Sequence, residues 1–79
     1  MKLHEFVSEH GTRLAAHAIC NKVTSRLGVY FAEISEVPEM ASIADDIESA
    51  IISGADYASL IAMAEEELTD EAVEAAIYD

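Results

Sequence analysis

The chain of 79 residues has one cysteine, one proline, three glycines and no tryptophan, and only four of its side chains are lysine or arginine. A single cysteine excludes an intramolecular disulfide, so packing must hold the fold and the expected compartment is the reducing cytoplasm. Three scattered glycines supply no glycine-rich phosphate cradle. Four cations against sixteen carboxylates give a formal net charge of −12, which argues against a surface that tracks nucleic-acid phosphates or anionic lipid. Although 52% of the residues are hydrophobic, alanine supplies much of that fraction and no apolar run approaches the ~20 residues of a membrane span. The start, Met1-Lys2-Leu3-His4-Glu5, has no continuous apolar stretch and reads as lacking a secretory leader. A chain this short encloses a single core, so one domain spanning 1–79 is expected.

The charge that is present is sorted along the chain. Lys2, Arg13, Lys22, Arg26 and all three histidines fall in the first 26 residues, where only Glu5 and Glu9 oppose them. From Leu27 onward there is no Lys or Arg. The reading divides the domain into a basic, histidine-bearing segment over 1–27 and an acidic segment over 28–79. Such polarity speaks to partners, because net charge governs association more than fold.

The apolar pattern is helical. Leu3, Phe6, Val7, Leu14 and Ala18, with the neighbouring row Ala15, Ile19, Val23 and Leu27, recur at three- and four-residue steps. The spacing predicts one helix over about 2–27 or two broken near Gly11, with Thr12 capping the restart and Gly28 following the end. Residues 29–37 read as a short helix or an extended connector. Pro38 suits a first turn, and Met40, Ile43, Ala44, Ile47, Ala50 and Ile51 then run at helical spacing to Gly54. Asp56 is placed to cap a helix bearing Tyr57, Leu60, Ile61, Ala64 and Leu68, and Thr69 a last one bearing Val73, Ala76 and Ile77. The expected fold is an all-α bundle of four or five short helices.

The carboxylates are the strongest chemical signal. Asp45, Asp46 and Glu48 fall on or beside the face of their helix opposite the isoleucines, where water accounts for them. Asp70 and Glu71 lie in a first turn, where the helix dipole favours negative charge by roughly 0.3–1 kcal/mol. Glu65, Glu66 and Glu67 are different: three adjacent carboxylates at the C-terminal end of a helix face its negative pole and repel one another. With Glu74 beyond them, these residues make a surface for a basic partner, against the competing reading of an acidic surface kept for solubility. Carboxylates one helical turn apart lie about 5–6 Å from each other, on the scale of the charge repeat along a nucleic-acid strand, and can occupy a groove built for phosphates.

In length, charge and lack of catalytic residues the chain resembles small acidic proteins with which phages and other mobile elements block host nucleases, restriction enzymes, CRISPR effectors and nucleoid proteins. That resemblance implies an inhibitor or nucleic-acid mimic whose partner is a basic host protein, itself a nucleic-acid-binding enzyme or complex, with no direct contact to nucleic acid or membrane. Length and charge also resemble an acyl carrier protein, but the Asp-Ser-Leu motif is missing: Asp56 stands two residues apart from Ser59-Leu60.

Other constellations are weaker. His17 and Cys20 stand three apart, and His10 lies seven residues upstream of His17, but zinc wants three or four ligands at closer spacing; no metal or cofactor is expected. Cys20 with His17 lacks an orienting group and oxyanion donors, so no enzymatic activity is expected. Cys20 reads as a small buried hydrophobe. The alternative role is that of a helical adaptor or antitoxin-like regulator, binding through an apolar N-terminal face with Phe6, Leu14 and Ile19. Tyr30 and Phe31 are the aromatic anchors there, of which adjacency on a helix lets only one point inward. The same stripe offers a homodimer interface, unless it covers the acidic bundle within one monomer.

Overall fold

Gly11 breaks the N-terminal segment into two helices. In the computed structural model, which describes residues 2–78, helix α1 (Leu3–His10) ends where Gly11 takes φ 88° and ψ 167°, a conformation that a side chain disfavours, and α2 (Thr12–Thr24) starts in a new direction. Met1 and Asp79, the ends of the expected domain, lie outside the described residues. Thr12 does not cap the restart; its hydroxyl donates instead to Glu48 Oε2 at 2.7 Å. A 3-10 turn, Ser25–Leu27, extends α2, and Gly28 follows it in the left-handed region at φ 76°.

The stretch after Gly28 becomes a short helix, α3 (Phe31–Ile34), held from outside. Asn21 Oδ1 on α2 accepts the Phe31 N–H at 2.9 Å, satisfying a first-turn donor. The buried Thr24 hydroxyl donates to the Val29 carbonyl at 2.9 Å and fixes the preceding turn. Then come α4 (Pro38–Ile52), α5 (Tyr57–Glu67) and α6 (Asp70–Ile77). Asp56 accepts from the Ser59 N–H at 2.8 Å and Thr69 from the Ala72 N–H at 3.1 Å, two of the three caps expected from sequence, Thr12 being the third. The class is all-α, with six helices among the described residues and no strand. Six form, against four or five expected, because both the break at Gly11 and the stretch over 29–37 resolve into separate helices.

Helix α2 is the centre of the packing, in contact with α1, α3, α4 and α5. Its inward row is Ala15, Ala16, Ile19, Cys20 and Val23; Leu14 and Ala18, on the adjacent row, face out. The small side chains of Ala15, Ala16 and Cys20 let neighbouring helix axes approach closely. Opposite them lie Met40, Ile43, Ala44 and Ile47 of α4 and Leu60 and Ala64 of α5, with Leu68, Val73, Phe31 and Ile34 closing the core. Tyr57 and Ile77, expected on inward rows, sit at helix ends and stay exposed. Every buried side-chain nitrogen or oxygen among the described residues has a hydrogen-bond partner.

Ile47 is fully buried at the centre of α4. Its replacement by Ala removes three carbons from a packed site and is expected to cost about 2–5 kcal/mol, a large part of the stability of a domain this size. Thermal or urea unfolding followed by circular dichroism checks this; an unchanged midpoint would remove Ile47 from the core.

Candidate partner-binding surface

The cations of the N-terminal segment are partly spent on the acidic helices. Arg13, at the start of α2, reaches Asp45 at 3.7 Å and Glu48 at 3.9 Å on α4, and Glu48 also accepts from Thr12. Arg26, in the 3-10 turn, pairs with Glu65 of α5 at 3.1 Å. The pairs of Arg13 with Asp45 and of Arg26 with Glu65 are solvent-exposed, so each contributes about 0–1 kcal/mol to stability, whereas Glu48 is partly buried. Their larger effect is on the distribution of charge, because Arg26 offsets Glu65 and Arg13 offsets one of the two charges of Asp45 and Glu48 within the molecule.

Asp46, Glu66 and Glu67 receive no such compensation. No Lys or Arg forms an ion pair with any of the three among the described residues. The connection over 53–56 is short, and it brings the end of α5 back beside the middle of α4, so these carboxylates from two helices share one patch. Glu67 bears the cost: loss of hydration, then repulsion from Asp46 and from Glu66, push its carboxyl above the ordinary value of 4.5. It is the last residue of α5, where the negative end of the helix dipole also opposes its charge. Asp56, at the other end of α5, is lowered, chiefly by the backbone hydrogen bond from Ser59. All three patch residues are exposed, as are Asp70, Glu71 and Glu74 on α6.

The N-terminal apolar residues divide. Leu14 and Tyr30 are 51% and 66% exposed, while Ile19 and Phe31, expected with them, are buried in the core and cannot meet a partner in the folded state. Asn21 anchors the start of α3 so that Phe31 turns inward and Tyr30 stays out. Phe6 is partly buried, its ring 4.6 Å from that of His10, and His17 packs edge-on to Phe31 at 5.3 Å. Two of the histidines thus serve as aromatic packing. Among the described residues no group of three or more His, Cys, Asp or Glu is placed to hold a metal ion, and no helix is long and apolar enough to cross a membrane.

Cys20, on α2, is fully buried in the core. Burial, reinforced by the nearby Glu67 charge, pushes its thiol up to about 12. The thiolate is the reactive form, so Cys20 is inert near neutral pH.

Sequence reasoning did not identify Arg13, Arg26 and Asn21 as organising residues. Their signal was present: the two arginines are half of all the cations in the chain, and each was bound to find a carboxylate. The proximity of Asp46 to Glu67 required knowing how α5 returns along α4.

Two outcomes follow from this chemistry. Folding raises the pKa of Glu67, so its contribution is favourable only while it is protonated: present below the unfolded-state value, and lost as pH rises through the folded value. Glu67→Gln is therefore expected to be more stable than the wild type near pH 7 by about a few tenths of a kcal/mol. That gain should vanish as pH falls below the ordinary carboxylate range, as read by melting temperature across pH. A thiol-reactive chromophore should label Cys20 quickly in denaturant and very slowly in the native protein at pH 7–8, a range far below about 12; equal rates would contradict its burial.

Comparison of the chain with protein-family models, with curated proteins and with solved structures returned no match.

Proposed function

We propose that this chain is a small acidic protein-binding inhibitor that occupies the basic, nucleic-acid-binding groove of a host protein, as nucleic-acid mimics encoded by phages and other mobile elements do. Its targets by this reading are CRISPR effectors, restriction enzymes or nucleases. The observation that carries it is the Asp46, Glu66 and Glu67 patch: three exposed carboxylates from two helices crowded against local stability, with the two arginines committed elsewhere. A solvated surface kept only for solubility does not require charges to be gathered where they repel, whereas a surface read by cations does. By this reading the exposed Asp70, Glu71 and Glu74 of α6 add to the acidic surface, and Asp45, Glu48 and Glu65 become available if a partner's arginines displace Arg13 and Arg26.

A helical adaptor or antitoxin-like regulator is the second reading, and the exposure of Leu14 and Tyr30 favours it. Salt separates the two, because a carboxylate-driven complex weakens steeply with ionic strength and an apolar one hardly changes.

Affinity capture from a bacterial lysate, eluted by a salt gradient, supplies the partner, and displacement of DNA or RNA from that partner tests mimicry. The triple variant Asp46→Asn, Glu66→Gln, Glu67→Gln is a better probe than one that includes Glu65, whose neutralisation also releases Arg26. It should melt at the same or a higher temperature, yet associate on the order of tenfold more slowly at low salt, with the difference shrinking as salt rises. Wild-type association by this variant at low salt would remove the patch as the binding surface.

A further inference from the structure

Among the described residues, α1 is the α-helix that buries no side chain fully. It packs chiefly on α2, and its inner side chains, Leu3, Phe6 and Val7, are only partly buried. The fit is loose on both flanks. A hollow of about 170 Å³ separates Leu3 and Phe6 from Ala15, Ala18 and Ile19 of α2, and one of about 270 Å³ separates Leu3, His4 and Val7 from Ile51, Gly54 and Ala55 around the end of α4. Space that no side chain fills forfeits dispersion contacts that a packed core would gain. Among the described residues no α1 side chain makes a hydrogen bond or ion pair to another element. The approach of His10 to Glu9 at 3.7 Å and the ring contact of Phe6 with His10 stay within the helix.

The joint at the end of α1 has one firm side and one free side. Beyond Gly11, the start of α2 is pinned to α4, where Thr12 donates to Glu48 at 2.7 Å and Arg13 reaches Asp45 and Glu48. Gly11 itself, at φ 88°, lets the chain change direction without involving either helix. On the free side, α1 has eight residues, below the ~12–15 at which an isolated helix becomes even marginal in water. Lys2 stands at its N-cap with the extended backbone that a cap requires, φ −78° and ψ 154°, but has no side-chain oxygen to accept a first-turn N–H. The helix therefore has little stability apart from its docking, and its docking rests on three half-buried side chains.

We propose that α1 is a strap that undocks and melts as a unit about Gly11 while α2 to α6 keep their packing. Leu3 borders both hollows beside α1, and Phe6 borders the first of them and the open groove of about 460 Å³ that reaches Leu14 and Tyr30. Release of the strap removes these partitions and joins the three depressions into one apolar trough, from Tyr30 past Ala18 and Ala15 to Ile51 and Ala55. Opening thus sets how much apolar surface the protein presents, while Asp46, Glu66 and Glu67, on helices that stay packed, keep their positions. The strap goes beyond both functional readings, and its test depends on neither.

Native-state hydrogen exchange of the full chain, followed by NMR at a series of low urea concentrations, reads the opening of each amide. The N–H groups from Phe6 to Gly11, bonded within α1, should share one opening equilibrium. They should exchange on the order of a hundredfold faster than the amides from Ala16 to Val23 in α2, and respond to urea less steeply, because a small unit exposes less surface than the whole domain. Two variants separate the strap from the core. Lys2→Ser, which completes a capping box with Glu5 three residues on, should slow exchange across α1 about threefold or more. Ile47→Val, in the core, should speed exchange in α2 about threefold or more and leave α1 unchanged, because the strap opens without disturbing that site. If α1 opens only together with α2, with the same urea dependence and the same response to Ile47→Val, the proposal is overturned. A gradient of rates along α1 would overturn it as well, by showing an end that frays residue by residue, and so would exchange as fast as in an unstructured peptide, since no strap would then be docked.

Discussion

The burial of α2 is the constraint on which the rest of the structure depends. The helix is surrounded by α1, α3, α4 and α5, and Ala15, Ala16 and Cys20 make it narrow enough for that. One side of its surface is fully used by the core. The adjacent side carries Leu14, His17 and Ala18 outward, so the same helix that organises the interior also lines an open apolar groove with Phe6, Tyr30 and Phe31. Its contacts set up the neighbouring elements as well: Asn21 starts α3, Thr24 fixes the turn before it, and Arg13 and Thr12 draw in Glu48 of α4.

The charge pattern follows from where the cations lie. Lys2 precedes α1, and Arg13, Lys22 and Arg26 lie on α2 and the turn after it, so the helices on the far side of the core have none of their own. Arg13 and Arg26 sit where α2 and its extension face α4 and α5, and they compensate the carboxylates nearest to them. Asp46, Glu66 and Glu67 lie beyond that reach. Their mutual repulsion is tolerated because the apolar core is continuous through α2, α4 and α5 and each like-charge contact at the surface costs little. A partner's cations would relieve that repulsion and gain attraction at once, which is why a stored local cost and a binding surface coincide in the proposed function.

The fold was legible wherever periodicity and caps agreed. Pro38, Asp56 and Thr69 marked the starts of α4, α5 and α6, and the isoleucines of α4 marked its inner face. The N-terminal segment was harder, because two apolar rows run side by side on α2 and local spacing does not say which one turns inward; contact with α4 and α5 chose Ala15, Ile19 and Val23 over Leu14 and Ala18. The stretch over 29–37 was ambiguous for a related reason, since α3 depends on a donor satisfied by Asn21, ten residues upstream. At the candidate site, the misplacement of charge at the end of α5 was visible from helix polarity alone. The participation of Asp46 was not, because it arises from the crossing of two helices. Ile19 was read as a candidate interface residue from its place in an apolar stripe and Phe31 as a candidate aromatic anchor beside Tyr30, and tertiary packing claimed both.

The clustering of carboxylates across α4 and α5 is most directly tested by a site-resolved NMR titration of the glutamate side chains in the wild type and in Asp46→Asn. Glu67 should titrate above the ordinary 4.5 in the wild type, and its midpoint should fall toward that value when Asp46 loses its charge. A Glu67 that titrates at or below 4.5, or one whose midpoint is unmoved by Asp46→Asn, would contradict a shared patch between the two helices.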